Sequence, residues 1–200
     1  MLTDDELAEA CAVLVGHEGL VPWLYCDSRG FVTVGVGDKV TPASVLTMPF
    51  VHMADSRGAE ASEKLHTYAR VLDFFKPGLT AQAYRAVSDL RLPVEFCKRL
   101  LAHRVVSEFV PAIEKHCPQF AEFPTQAKLV LVDIAYNVGT AGFAAFVQLI
   151  ADCNSLHFAR AALQVHTEKD GEDARNPETW GARNMWRHDT MLAAAKAVQS

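Results

Sequence analysis

Apolar residues recur at helical spacing near the start of the chain. Leu7, Cys11 and Leu14 share one face, and Thr3 followed by Glu6 forms a capping-box pair that predicts a helix start near Asp4. Continued by four, the same face reaches Glu18, so a carboxylate takes the place of a core residue just before Gly19, a suitable helix stop. Partial desolvation is expected there, which favours the protonated form of the acid. The pattern then changes to alternation. Trp23–Cys26 and Phe31–Val36 predict short strands, joined by Asp27-Ser28-Arg29-Gly30, a turn with Asp first and Gly last. In the second strand Val32, Val34 and Val36 point one way, and Phe31, Thr33 and Gly35 the other. Thr33 therefore shares its face with a glycine that leaves room for a close approach.

Beyond Thr41 the pattern is poor until Ala59, where a helix is expected as far as Phe75. Pro77-Gly78 breaks it, and Thr80 is expected to cap another helix running to Leu92. Pro93 suits the first position of a helix that carries Phe96, Leu100, Leu101 and Val105, with a kink at Pro111, so that Pro93–Cys117 bridges two lobes. The most hydrophobic helix, QAKLVLVDIAYNVG, opens after Pro124-Thr125 and is expected to close at Gly139; apolar on nearly every side, it belongs at the centre of a helical lobe. Phe143, Phe146, Leu149 and Ile150 lead into the next helix, and Ser155 caps one through Phe158 and Leu163. His166 to Pro177 is a polar loop, and Thr179 to Val198, with Trp180, Trp186, Met191 and Leu192, is the last helix. The class is α+β, mostly α, with a small β-hairpin lobe and a larger helical lobe. A single domain over residues 1–200 is expected: 3–40 for the first helix and hairpin, 41–92 for an added helical segment, 93–200 for the helical lobe. There is no internal repeat.

Composition narrows the function. Half of the 200 residues are apolar and the net charge is −5, so the basic footprint of a nucleic-acid binder is absent. Five widely spaced cysteines without a CxxC point to buried free thiols rather than disulfides or a metal site. The eight histidines show no paired ligand spacing, and neither a metal nor a cofactor is expected. The acidic start MLTDDELAEA lacks an apolar core for a secretory signal, and no run reaches the length of a membrane span. The expected site of synthesis is therefore the cytoplasm. No GxSxG, phosphate loop or Cys-His arrangement supports a nucleophile.

Glu18 and Asp27 each have a plain reading, as a solvated helix end and a turn-initiating Asp. Their surroundings change it. The pattern E-G-x5-Y-x-D-x2-G-x2-T-x-G-x-G, carried by Glu18, Gly19, Tyr25, Asp27, Gly30, Thr33, Gly35 and Gly37, resembles the catalytic signature of phage-type lysozymes, glycoside hydrolase family 24. Asn137-Val138-Gly139 followed by Phe143 resembles a second block of that family, and weaker similarity runs through Phe96–Ile113 and the final helix. The resemblance covers most of Thr3–Val40 and Pro93–Leu192. It implies a lysozyme-like cleft and hydrolysis of the β-1,4 bond between N-acetylmuramic acid and N-acetylglucosamine in peptidoglycan, by an inverting route. Glu18 would be the general acid, Asp27 would activate water or stabilise the positive sugar, and Thr33 would hold that water. Tyr25, Asn137 and Phe143 would contact substrate, although Tyr25 and Phe143 also suit packing roles and Asn137 a helix cap.

The chain departs from the family pattern in three places. Asp38 stands where the family commonly has His. The last helix reads GARNMWRH, with Arg183 or Arg187 replacing the usual arginine pair, and Pro42–Leu92 is longer than in compact phage enzymes. The settings implied are an endolysin or a secreted antibacterial effector that acts as a monomer on periplasmic glycan strands. In the second case a cognate immunity protein is the expected partner. A catalytically silent wall-binding module is the alternative from a different class.

Overall fold

The computed structural model describes residues 1–167 and 181–199. In chain order its elements are α1 (Asp4–Glu18), β1 (Val21–Cys26), β2 (Val32–Gly35), β3 (Asp38–Lys39), α2 (Pro42–Thr47), β4 (Val51–His52), α3 (Ala61–Asp73), β5 (Leu90–Arg91), α4 (Val94–Arg104), α5 (Val110–His116), α6 (Thr125–Phe143), α7 (Val147–Asn154), α8 (Phe158–Ala161) and α9 (Ala182–Gln199). The class is α+β and mostly helical. Two compact units divide the chain: Met1–His17 with His103–Ser200, and Glu18–Ala102. The boundaries fall inside α1 and α4, so the first unit is built from two separate stretches of sequence and the second from the one between them.

The helical unit is built on α6, whose residues from Ala127 to Ala135 are all buried, including Lys128 and Asp133. A buried charge needs a partner. Lys128 Nζ finds Glu6 Oε1 at 2.8 Å, and Thr125 donates its hydroxyl to the same oxygen at 3.0 Å. The other Glu6 oxygen accepts the Thr3 amide at 2.9 Å while the Glu6 amide donates to Thr3 Oγ1 at 3.2 Å, so the expected capping box is present. Drawing Glu6 inward turns α1: its buried line is Glu6, Ala10 and Leu14, while Leu7 and Cys11 are half-buried. The expected stripe was one residue out of phase. Burial acts to push the Glu6 carboxyl up, but the bonds from Lys128, Thr3 and Thr125 outweigh it and hold the group below its ordinary value.

Three further helix expectations change. The kink or division expected at Pro111 begins earlier, as a widened turn over Val105–Phe109 where the Val110 amide reaches back to the Val105 carbonyl, and Pro111 sits in the first turn of α5. Gly139, with φ +78°, breaks α6 without ending it, and helix resumes to Phe143. Ser155 starts no helix; α8 begins at Phe158. Thr179 and Trp180, placed in the last helix by sequence, lie outside the described residues, as does most of the polar tract 166–177.

The second unit centres on an antiparallel sheet in the order β1-β2-β3. Tyr25 pairs with Thr33 and Cys26 with Val32, while Thr33 also faces Lys39 and Val34 faces Asp38 across β3. Sequence gave no sign of β3, which is only two residues long. Residues 41–92 are not an added helical segment but part of the sheet's own core: Phe50, Val71, Tyr84, Leu90 and Leu92 pack with Leu24 and Val34. The helix expected over 80–92 is a 3-10 turn at Ala81–Ala86 followed by β5, which pairs with β4. Alternation decides this, since Leu90 and Leu92 are buried while Arg91 between them is exposed. Trp23 Nε1 donates to the Ala81 carbonyl at 2.9 Å, and the Leu92 amide to the Pro22 carbonyl at 2.7 Å, fastening the segment to β1.

All five cysteines are free thiols, four of them buried. Burial pushes Cys97 and Cys117 up to about 11. Among the described residues no single helix is long and apolar enough to cross a membrane. The bent pair α6–α7 passes such a test only jointly, across a 114° break, and the apolar residues of α6 are interior.

The Glu6–Lys128 pair yields the first prediction. Lys128→Met strands a buried carboxylate and lowers stability by about 3 kcal/mol, whereas Glu6→Gln combined with Lys128→Met recovers most of that loss. Urea denaturation of the single and double variants measures both.

Candidate active site

Asp27 closes the hairpin turn. Its amide donates to the Phe31 carbonyl at 2.9 Å, and the Gly30 amide donates to the Asp27 carbonyl at 3.0 Å. Gly30 takes φ +82°, a conformation that favours glycine, and a Cβ added there would sit 3.3 Å from the Phe75 ring. Asp27 Oδ1 accepts from the amides of Arg29 and Phe31, both at 2.9 Å. The turn-initiating role is thus real, and it uses one carboxylate oxygen. The other, Oδ2, stands 4.0 Å from Lys39 Nζ, which also lies over the Phe31 ring at 4.2 Å. One oxygen is fixed by backbone and one is turned outward beside a cation.

Thr33 is 2% exposed. Its hydroxyl donates to the Phe31 carbonyl at 2.8 Å, so Oγ1 presents its lone pairs as an acceptor to anything else. The room that Gly35 leaves on this face is filled by the protein itself: an added Cβ would meet Asp38 Oδ2 at 2.8 Å. Gly35, at φ +70°, is there to admit the buried Asp38. That corrects the expectation of a ligand approach at this glycine, and it gives the residue that replaces His in the family pattern a place inside the sheet.

Glu18 is exposed. The desolvation expected from a buried stripe is absent, because α1 ends here and Gly19, at φ +77°, turns the chain away. Glu18 and Asp27 nonetheless meet in their effect on one group. The half-buried Tyr25 phenol is pushed up to about 12, first by burial and then by the charges of Asp27, Asp38 and Glu18. Tyr25 is also the cross-strand partner of Thr33. Tyr25 is thus the strand neighbour of Thr33 and feels the charges of Asp27 and Glu18.

The helical unit holds the other named residues. Asn137, on α6, is exposed, and its Oδ1 accepts from Arg187 Nη2 at 3.2 Å. Phe143 is fully enclosed and edges against His116 at 6.3 Å, so it is a core residue and not a substrate contact. Arg183 and Arg187, left open by sequence, converge on Asp133. Arg183 Nε and Nη2 reach its two oxygens at 3.0 and 2.8 Å, and Arg187 Nε reaches Oδ2 at 2.6 Å. His17 Nδ1 lies 2.9 Å from Oδ1, with its ring edged against Trp186 at 4.9 Å. Burial acts to push the Asp133 carboxyl up; the bonds and charges of Arg183 and Arg187, with His17, outweigh it and hold the group below its ordinary value. An ionised carboxylate only accepts, so His17 donates through Nδ1.

Sequence reasoning missed Asp133. The signal was present, as an acid inside LVLVDIAYNV on a helix apolar on nearly all sides, where only a paired charge survives. The pairing of Asp38 and Lys39 as a strand was missed because two-residue strands leave no periodicity. Among the described residues no group of three or more His, Cys, Asp or Glu is placed to hold a metal ion.

The lowered Asp133 fixes the sign of a pH effect. Its contribution to stability is present above the ordinary value of 3.8 and is lost as pH falls through its lower folded value. The stability difference between wild type and Asp133→Asn is therefore largest above pH ~5 and shrinks below pH ~4. Urea midpoints measured above pH ~5 and stepwise below pH ~4 test it; a difference that grows on acidification contradicts the assignment. In comparisons with known proteins, no family model matches the chain and no curated protein matches it.

Proposed function

We propose that this protein is a peptidoglycan hydrolase, an N-acetylmuramidase that cleaves the β-1,4 bond between N-acetylmuramic acid and N-acetylglucosamine. The observation that carries the reading is the hairpin turn that fixes one Asp27 oxygen and leaves the other outward, on the same hairpin that pairs Tyr25 with Thr33, in the residues that match the lysozyme signature. Glycoside hydrolysis needs two carboxyl groups in different surroundings, and these two differ. Glu18 is exposed at a helix end, where a leaving-group oxygen can approach it. Asp27 is held by two backbone amides, which aims its second oxygen.

In this reading a glycan strand covers Glu18 and removes water from it, which favours the protonated acid that donates to the departing oxygen. Asp27 Oδ2 draws a proton from the attacking water or stabilises the oxocarbenium-like sugar, with Lys39 Nζ 4.0 Å away. Thr33 Oγ1, its own proton committed to Phe31, accepts a hydrogen bond from that water. Asn137 contacts sugar or water. The protein acts on periplasmic peptidoglycan as an endolysin or a delivered antibacterial effector.

Turbidity loss of purified peptidoglycan tests this with wild type, Glu18→Gln and Asp27→Asn. Each variant is expected to lose at least about a hundredfold in rate while keeping its fold. Full activity of Glu18→Gln would falsify the mechanism, and an inactive wild type would favour a wall-binding module that does not turn over. Mass spectra of the fragments name the bond: reducing ends on muramic acid are expected, and reducing ends on glucosamine mean a different linkage is cut.

A further inference from the structure

Arg187 is fully enclosed, yet it bonds outward in several directions. Beyond Asp133, its Nη1 donates to Thr167 Oγ1 at 2.8 Å and Asn184 Oδ1 at 3.0 Å, and its Nη2 to Asn137 Oδ1 at 3.2 Å. Asn184 in turn clamps the Thr167 backbone, accepting its amide at 3.2 Å and donating to its carbonyl at 3.1 Å. Asn137 and Thr167 are both wall residues of one cavity of about 790 Å³ in the helical unit. Gln148 and Gln164 add neutral polar groups, and Phe146 and Val147 an apolar side. Among the described residues His166 is the one ionisable side chain in the lining.

A cavity of this size suits a small ligand or one residue of a polymer. Among the described wall residues, what it offers depends on which end of the Asn137 amide faces inward. A guanidinium only donates, so Arg187 must take the oxygen, and the Nδ2 donor is left for the ligand. Without Arg187 that amide is a rotor with two equivalent faces. Arg187 cannot itself be buried without Asp133, since an unpaired cation at that depth costs several kcal/mol.

We propose that Asp133, acting through Arg187, is a positioning residue that turns the donor end of Asn137 into this cavity, which thereby selects a ligand bearing an acceptor oxygen. Under the muramidase reading, on which the ligand's identity rests, that oxygen is a carbonyl or hydroxyl of the glycan. Asp133 touches no ligand.

Asn137→Asp separates this from a packing role. The new carboxylate still accepts from Arg187, so the fold is retained and the melting temperature is expected to stay level or rise, but the Nδ2 donor is gone. On soluble peptidoglycan fragments KM is expected to rise about fivefold or more, with kcat changed by less than about threefold. Asp133→Asn tests the positioning: the side-chain amide signals of Asn137 in a ¹⁵N-labelled sample are expected to move, and KM to rise in the same direction. Arg187→Lys, which keeps the buried cation, replaces it if Asp133→Asn does not fold. An unchanged KM in Asn137→Asp, or Asn137 amide signals left in place by the network variants, overturns the proposal even if wild type hydrolyses peptidoglycan. If wild type does not hydrolyse it, the muramidase reading fails on its own. The positioning claim then stands or falls on the amide signals and on whether N-acetylglucosamine trimer shifts them.

Discussion

A carboxylate with no exposed surface is a severe constraint, and the helical unit is arranged to meet it. Asp133 loses all its hydration on α6, at a cost of several kcal/mol before any partner is counted. Arg183 and Arg187 come from α9 and His17 from the last turn of α1. Apolar burial alone brings these helices together without fixing register, because it is non-directional. Hydrogen bonds from a guanidinium fork fix it, since a shift of one residue would leave an ion unpaired. The same demand recurs one turn and a half earlier on α6, where Lys128 holds Glu6. Two acid–base contacts along one helix thus set how α1 lies against it.

The sheet-bearing unit solves its problem with backbone instead. Asp27 is placed by a turn that uses its carbonyl, its amide and one side-chain oxygen. Gly30 and Gly35 earn their positions by close approach, one to the Phe75 ring and the other to Asp38. The segment between α2 and β5 supplies the apolar floor under β1 and β2, so the hairpin is not left as an isolated ribbon, which would be marginal in water.

Legibility in the sequence followed the range of the interaction. The capping box, the Gly19 stop, the Asp27 turn and the core status of α6 were readable because each is decided within a few residues. The phase of α1 was not, because Glu6 is drawn inward by a lysine 122 positions away. Nor was β5, where Thr80 and a run of helix-compatible residues imitate a capped helix until pairing with β4 overrides them. For the site, Glu18, Asp27 and Thr33 could be marked by pattern. Asn137 could be named too, but Arg187, the residue that orients it, lies 50 positions further along.

The contrast between the two carboxyl groups of the candidate site follows from how each is held. Asp27 sits in a closed turn whose amides oppose any motion of one oxygen, so its geometry is set before anything binds. Glu18 ends a helix just ahead of a left-handed glycine, one residue past His17, whose ring is held by Asp133. Its backbone is therefore steadied from the N-terminal side while its side chain remains exposed. A proton donor gains from that arrangement: it can take a proton from solvent and lose its water only when a substrate arrives. A residue that must aim a water gains from the opposite one. The hairpin turn and the Asp133 network hold their groups by different means, backbone amides in the first and paired side-chain charges in the second.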